Sequence, residues 1–383
     1  MSGLVDDLLA RMAEGRAPAC FVEADKVRAE MAEEGASVPA WKEILEGAQP
    51  PPPAEGLDAA DFDRGWQCHL CSFVETRFRE QVVFPNVDEA RRALLHSQAG
   101  GAASSWLRAI PSEQALCMVP LRVQTAIRRR LRWPLPLSGG VCCRGCRKDL
   151  DIYGDRAAAC SMAGRIKVRS VPLEKTWARV LREAKGRVRE RVLLRDAALP
   201  GIDPIDGRHI EVVVTGLPAA RGIPLAVDAT MISPLHADGT AWGNAADQPG
   251  ASFARALRSK QQTYPELVGS SVLQLWVVAT EIGGRLNKTA LELLRAAAAG
   301  RAQHEPAPLR RQAARAWEAR WTTLLAVAAQ NALCATLVQE GSKILDAPCS
   351  AEPLGVDVWL DGVHAWGPRS AAEERPQDAP AAE

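Results

Sequence analysis

Long apolar runs and a secretion signal are both missing from this sequence of 383 residues. No stretch of about 18 or more apolar residues occurs, so the chain is not expected to cross a membrane. The first residues, MSGLVDDLLARMAEG, are acidic and amphipathic, and they lack the basic flank and apolar stretch of a signal peptide. We therefore expect an intracellular protein.

Motifs of several large enzyme classes are also missing. The chain has no glycine-rich phosphate-binding loop, no Tyr-x-Asp-Asp motif of a polymerase and no convincing internal repeat. Its ten cysteines stand in a chain without a secretory signal, which favours thiols or metal ligands over disulfides. An enzyme that acts on a small molecule with an organic cofactor therefore has little support.

Charge is nearly balanced overall but is unevenly distributed along the chain. The formal net charge is +1, yet residues 1–63 carry 14 acidic against 5 basic side chains. Residues 121–200 carry 20 basic against 7 acidic side chains. A basic segment of this kind suits a polyanion, of which nucleic acid is the commonest, and the alternative is mutual neutralisation of the two segments.

Composition and periodicity divide the chain into five segments. These are an acidic leader with a proline-rich linker (1–64), a helical basic segment (65–141), a cysteine-rich segment (142–165), an α/β region (166–340) and a tail (341–383). The end of the tail is polar and is expected to be disordered. In the second segment, apolar spacing predicts helices over residues 87–98 and 112–133.

The α/β region is predicted from a change of apolar period. A helix over residues 171–186 precedes strand-like runs at 187–194, 208–215 and 224–232. A helix at 251–263, a fourth strand at 272–280 and two more helices follow, the last over 306–338. The resulting order, α-β-β-β-α-β, resembles the core of the restriction-like nucleases, so we expect that α/β core with a mixed sheet.

Two acids lie on strands that are neighbours in this order. Glu211 is in RHIEVVVT and Asp228 is in PLAVDATMI, and a turn near residues 216–223 would place them almost opposite each other. Mg²⁺ takes a few hard oxygen ligands from protein, and a nearby lysine can orient water or offset phosphate charge. Lys260 in the next helix is the candidate lysine, and Tyr264 follows it by one turn. The simpler interpretation is a pair of unrelated strand-end charges that face water.

Short motifs carry a more specific resemblance. The chain contains RHIEV, GIPLAVDATMISP and KQQTYPEL, preceded by IRRRLRWPLPL, CRGC, LDIYGD and LEKTWARVLREAKG. Over roughly residues 65–339 they resemble, in order, the C-terminal region of non-LTR retrotransposon polyproteins of the alga and dinoflagellate type. The resemblance implies a PD-(D/E)xK endonuclease domain that nicks or cleaves DNA with Mg²⁺ or Mn²⁺, and it implies a nuclear location.

The same resemblance assigns roles to individual residues. Glu211 and Asp228 would bind the metal, Lys260 would be the catalytic lysine, and Tyr264 would accompany it. Thr230 stands two residues after Asp228, where the usual motif has a lysine. Activity would therefore depend on Lys260.

A cysteine-rich segment precedes the α/β region. Cys143 and Cys146 have the CxxC spacing of a zinc clip and Cys160 is a third candidate ligand, but a structural zinc site needs four ligands. In the family this segment resembles a CCHC knuckle, and Arg156 stands in the place of its histidine. Two interpretations stay open, a Zn²⁺ site and a degenerate knuckle that is held by packing.

Basic side chains flank the knuckle and form a candidate nucleic-acid-binding surface. They could contact phosphates of DNA, or of RNA, without reading sequence, and the alternative is a solvated helix end. The candidates are Arg128, Arg129, Arg130, Arg132, Arg144, Arg147 and Lys148.

Two questions about function stay open at the level of sequence. The chain is either an active endonuclease or a catalytically inactive retroelement remnant that binds nucleic acid non-specifically. A third carboxylate could come from Glu174 or Glu183 on the helix before the sheet, and the sequence does not choose between them.

Overall fold

The structure is a computed structural model that describes residues 19–51, 65–135, 149–197 and 199–338, with a few residues of 7–15 and 146–147. The chain forms two compact units, and the boundary between them lies between Arg92 and Ala93. The first unit contains the helices Ala19–Glu33 (α1), Trp41–Leu45 (α2) and Trp66–Phe78 (α3), of which α3 continues into a single π-helical turn. Helix α4, Glu89–Gln98, crosses the division.

The second unit contains a four-stranded mixed sheet and most of the helices. Its strands are Arg187–Leu193 (β1), His209–Thr215 (β2), Leu225–Ile232 (β3) and Gln274–Glu281 (β4), in spatial order β1-β2-β3-β4. The first three strands are antiparallel to their neighbours, and β4 runs parallel to β3. The helices are Pro120–Arg130 (α5), Asp155–Ala159 (α6), Ala163–Glu183 (α7), Phe253–Thr263 (α8), Lys288–Ala302 (α9) and Arg310–Leu337 (α10).

Each face of the sheet packs against its own hydrophobic core. On one face, Trp177 of α7 and Trp321 of α10 are fully buried against strand residues such as Val214 and Val227. On the other face, Val213, Ala226 and Tyr264 belong to a smaller core beside α8. Because strand side chains alternate between the faces, both cores are built from the near-continuous apolar runs of β2 and β3.

The predicted class and element order are confirmed: the chain forms an α/β unit whose elements follow in the order α-β-β-β-α-β-α-α from α7 onward. Each of the four predicted strands is found within two residues of its expected bounds. None of the helices in the described part of the chain has the length and apolar character needed to span a bilayer.

Two helix predictions were wrong at their starts because of proline. The helix expected over 112–133 begins only at Pro120, since a proline without an amide hydrogen fits the first turn of a helix. The preceding residues form a 3₁₀ turn, Gln114–Leu116. Conversely, α7 begins at Ala163 rather than near residue 171 and accommodates Pro172 in its interior.

Candidate active site

The two strand acids meet where strands β2 and β3 separate. The antiparallel ladder ends at the pair Val212–Val227, and one more step along it brings residue 211 opposite residue 228. Beyond this point the Ala229 amide has a side-chain acceptor instead of a strand partner, because it donates to Glu211 Oε2 at 2.6 Å. The carboxylate of Glu211 therefore lies in the opening between the two strands.

Helix α8 places Lys260 against both acids. Its Nζ lies 2.7 Å from Asp228 Oδ1 and 3.7 Å from Glu211 Oε1. The two carboxylate oxygens are therefore separated by no more than the sum of these distances, which is within the roughly 8 Å that two ligands of neighbouring or shared ions can span. The structure brings together three of the four residues that the sequence predicts for this site.

Asp228 has too few partners for a buried carboxylate. It is only 1% exposed, and neither of its oxygens accepts a well-formed hydrogen bond from the described residues. The Lys260 ammonium makes an ion-pair contact with Oδ1 but leaves Oδ2 without any donor among those residues. An unsatisfied buried acceptor costs about 1–3 kcal/mol, and more when it is charged. A cation ligand at Oδ2 would remove this cost, so the residues present fit a divalent ion.

Burial and mutual repulsion raise the proton affinity of the pair. Burial, followed by the charge of Asp228, raises the pKa of Glu211 to about 8. Burial also raises the pKa of Asp228, although the Lys260 ammonium opposes this effect. Burial disfavours the charged form of Lys260, but the two carboxylates outweigh it and raise the pKa of that ammonium. Near neutral pH the site therefore retains a proton that a divalent cation would displace.

The two acids on α7 differ in their surroundings. The charge of Glu174 raises the pKa of both Glu211 and Asp228, and its half-buried side chain forms no hydrogen bond or ion pair with the described residues. Glu183 instead accepts hydrogen bonds from Arg179, Arg320 and Trp321. Glu183 is therefore held by partners on α7 and α10, and Glu174 as a third carboxylate of the site stays a prediction.

Tyr264 holds the site together without contacting the two acids. It follows the last residue of α8, and its buried hydroxyl donates a hydrogen bond to the His209 carbonyl at the start of β2. Burial, with a contribution from the Asp228 charge, raises the pKa of Tyr264 to about 12. The tyrosine therefore ties the end of the helix that carries Lys260 to the strand that carries Glu211.

Arg208 reinforces this connection and was not predicted from the sequence. Its guanidinium binds Asp206 Oδ2 at 2.6 Å and Glu266 Oε1 at 2.5 Å, and it also donates to the Thr263 carbonyl. Arg208, the residue before β2, thus binds Thr263 at the end of α8 and Glu266 in the turn that follows the helix. The only sequence signal was the arginine of RHIEV itself.

The predicted basic surface is largely used inside the fold. Arg129 Nη2 and Arg132 Nη2 lie 3.3 Å and 2.6 Å from the two oxygens of the buried Asp155. Arg128 donates to the Pro134 carbonyl, and Arg130 is half-buried. Arg147 is exposed, while Arg144 and Lys148 lie outside the described residues.

The knuckle segment contains a turn that is held by its own hydrogen bonds. Asp151 accepts the amides of Tyr153, Asp155 and Arg156 at 2.8 to 3.0 Å. Gly154 has a φ of 72°, and a Cβ there would lie 2.6 Å from a Leu337 methyl, so glycine is required. These contacts explain the LDIYGD motif as a packed turn.

Two of the three cysteines that are predicted to bind zinc lie among the described residues. Cys160 is buried, and its carbonyl accepts a hydrogen bond from Arg169, while Cys146 is half-buried. Cys143 lies outside the described residues. Among the residues that are described, no three His, Cys, Asp or Glu side chains form a metal-binding cluster. An ion held by Glu211 and Asp228 would accordingly take its other ligands from water or phosphate.

Comparisons with known proteins do not assign the chain to a family. No protein-family model, no curated protein and no solved structure gives a significant match to this sequence or fold.

Proposed function

We propose that the chain is a restriction-like endonuclease that nicks or cleaves DNA by metal-dependent hydrolysis of a phosphodiester. The observation that carries the proposal is the Asp228 carboxylate, which is buried beside Glu211 with one oxygen that has no donor among the described residues. Structural acids are normally satisfied when they are buried, and strongly perturbed carboxylates next to a lysine are typical of catalytic sites. The α-β-β-β-α-β order of the unit agrees with this proposal.

The donor set suits Mg²⁺ or Mn²⁺. Asp228 and Glu211 would hold the ion through hard carboxylate oxygens, and the Ala229 amide fixes the orientation of Glu211. Once the proton that the site retains near neutral pH has left, two carboxylates and one ammonium have a net negative charge, so a divalent cation is complementary. When bound, such an ion lowers the pKa of a water ligand and stabilises the leaving oxygen of a phosphodiester.

Lys260 has two tasks in this proposal. In the metal-free site its ammonium neutralises the two acids, and with the ion in place it can move toward the phosphate or the attacking water. Its side chain is about one quarter exposed, so the ammonium lies at the boundary between the buried acids and solvent. Lys260 thereby supplies from α8 the charge that Thr230 cannot supply from β3.

A catalytically inactive remnant is the rival interpretation, favoured by the ion pair between Lys260 and Asp228. That pair could persist as a purely structural contact if no ion ever displaces it. Binding of nucleic acid without cleavage would then remain. The predicted Zn²⁺ site at Cys143, Cys146 and Cys160 bears on neither alternative and is a separate proposal.

Nicking of supercoiled plasmid separates the two interpretations. The protein is incubated with plasmid and Mg²⁺ or Mn²⁺, beside an Asp228→Asn variant and a Glu281→Gln control. Glu281 is a suitable control because it is likewise a buried sheet acid with a raised pKa and with one oxygen that accepts no hydrogen bond from the described residues, but its partners are Ser252 and Arg285 and not a lysine and a second acid. We expect nicking by the parent and the control but not by Asp228→Asn. An inactive parent with retained DNA binding would support the remnant, and RNA is tested in parallel as substrate.

A further inference from the structure

The edge strand β1 carries a row of exposed arginines. Arg187, Arg189 and Arg191 are all exposed, and none of them forms an ion pair or hydrogen bond with the described residues. The intervening Glu190, in contrast, is bound by Arg182 of α7. Within the described part of the chain, the three guanidinium groups thus retain their hydrogen-bonding capacity.

Register places this row on the face of the sheet that contains the acids. Arg189 is paired with Val213, which packs in the smaller core beside α8 with Ala226 and Tyr264. Directly opposed residues of antiparallel strands point to the same face, and so do residues two apart. Arg187 and Arg189 therefore share the face on which Glu211 meets Lys260. Helix α8 packs against β3 and β4, and the side chains of Arg187 and Arg189 on the β1 part of this face are exposed.

Arg191 sits directly opposite Glu211 and has an unusual backbone. The pairs Glu190–Val212 and Val192–Ile210 flank this position, and the φ of Arg191 is 52°. A residue with a Cβ rarely adopts this left-handed conformation, and inside a strand it reverses the alternation of side chains. Val188 accordingly packs with the α7 core, whereas Val192 packs with the α8 core. Strained positions of this kind concentrate at functional sites.

We propose that Arg187, Arg189 and Arg191 bind consecutive backbone phosphates of the DNA strand and lead it to Glu211 and Asp228. This inference rests on the proposed function and names its substrate-binding surface. Arg187 and Arg189 are two residues apart on the regular part of the strand and therefore about 6.7 Å from each other, which suits successive phosphates of one DNA strand, and Arg191 continues the row opposite Glu211. A guanidinium group can bind a phosphate through two hydrogen bonds, and the acids alone would repel the polyanion. The row thus offsets the repulsion at the place where cleavage would occur.

The salt dependence of DNA binding in EDTA tests this surface, because the chelator removes any metal-dependent cleavage. The test variant is Arg187→Gln/Arg189→Gln/Arg191→Gly, in which glycine keeps the left-handed backbone. The matched control, Arg310→Gln/Arg311→Gln/Arg315→Gln, removes the same charge from the start of α10. We expect the slope of log Kobs against log salt to fall by about 0.9 for each phosphate that the test variant no longer neutralises. We expect the control to retain the parent slope.

A lysine variant and a test of folding complete the experiment. Replacement of all three β1 arginines by lysine should restore most of the salt slope, and thermal unfolding confirms that each variant is folded. Equal weakening in the test variant and the control, unchanged binding in the test variant, or no binding by the parent would overturn the inference. If the parent binds through β1 but does not nick plasmid with Mg²⁺ or Mn²⁺, the proposed function fails while this binding surface stands.

Discussion

Two clusters of acidic and basic side chains flank the sheet of this protein, and they differ in how well their carboxylates are satisfied. In the first, Glu113 and Glu183 share the guanidinium groups of Arg179 and Arg320 at 2.7 to 3.3 Å. In the second, Glu211 and Asp228 share a single ammonium, that of Lys260.

The difference shows in the direction of the pKa shifts. The hydrogen bond from Arg179 is the largest of the effects that lower the pKa of Glu113. Burial would raise the pKa of Glu183, but hydrogen bonds from Arg320 and Arg179 outweigh it and lower the value. In the second cluster burial prevails, and the pKa of Glu211 rises to about 8. The first cluster is therefore a complete structural contact, and the second is a site that lacks part of its positive charge.

Removal of one basic side chain from each cluster should give the largest difference between them, and the rate of plasmid nicking measures it. Lys260→Gln should lower the rate of plasmid nicking with saturating Mg²⁺ by at least about a hundredfold, because the group that offsets phosphate charge or orients water is gone. Arg320→Gln removes a cation from the first cluster and should leave the nicking rate within a few-fold of the parent. Initial rates on supercoiled plasmid measure both. A Lys260→Gln variant that is folded and fully active would remove the lysine from the mechanism.

Stability in EDTA should depend on pH through Glu211. Its pKa is about 8 in the folded protein against an ordinary value of 4.5, so the folded state binds more protons between these values and loses stability as pH rises through them. Glu211→Gln removes this loss, and we expect it to be more stable than the parent above pH 8 by about 2 kcal/mol. Urea unfolding at pH values below and above 8 measures the difference. A gap between the two proteins that does not change with pH would contradict the assignment.

The first cluster should respond in the opposite direction. Glu183→Gln weakens the contacts with Arg179 and Arg320, so we expect the free energy of unfolding near neutral pH to fall by about 1 kcal/mol, a modest value because both arginines are about one third exposed. Urea unfolding at neutral pH provides the measurement. Because the pKa of Glu183 is lowered in the folded protein, its contribution is present above the ordinary pKa and is lost as pH falls. A variant as stable as the parent would show that this cluster is not a structural contact.

The sequence was sufficient for the four strands, for the order of the elements around them and for the placement of Glu211, Asp228 and Lys260. Apolar alternation predicts β2 and β3, and the length of the connection between them places Glu211 nearly opposite Asp228. Lys260 follows from the helical segment after β3. These features are local or separated by one turn, so the pattern of a single sequence contains them.

The remaining features depend on residues that are distant in sequence. Glu174 and Glu183 lie on the same helix, and only Arg320, far along the chain on α10, identifies Glu183 as the structural acid. The sequence gives no partner for the arginines on α5 and just after it. In the fold, Arg129 and Arg132 form ion pairs with the buried Asp155. The row on β1 was counted only as part of a basic segment, because its lack of partners among the described residues is a property of the fold.

Binding of Mn²⁺ to the metal-free protein tests the central claim most directly. Calorimetry at pH values below and above 8 should show binding by the parent that tightens as pH rises, since the ion displaces the proton held by Glu211 and Asp228. We predict that Asp228→Asn abolishes this binding and that Glu281→Gln preserves it. Binding that is equal in the parent and Asp228→Asn, or no binding by the parent at any pH, would contradict a metal site at these two acids.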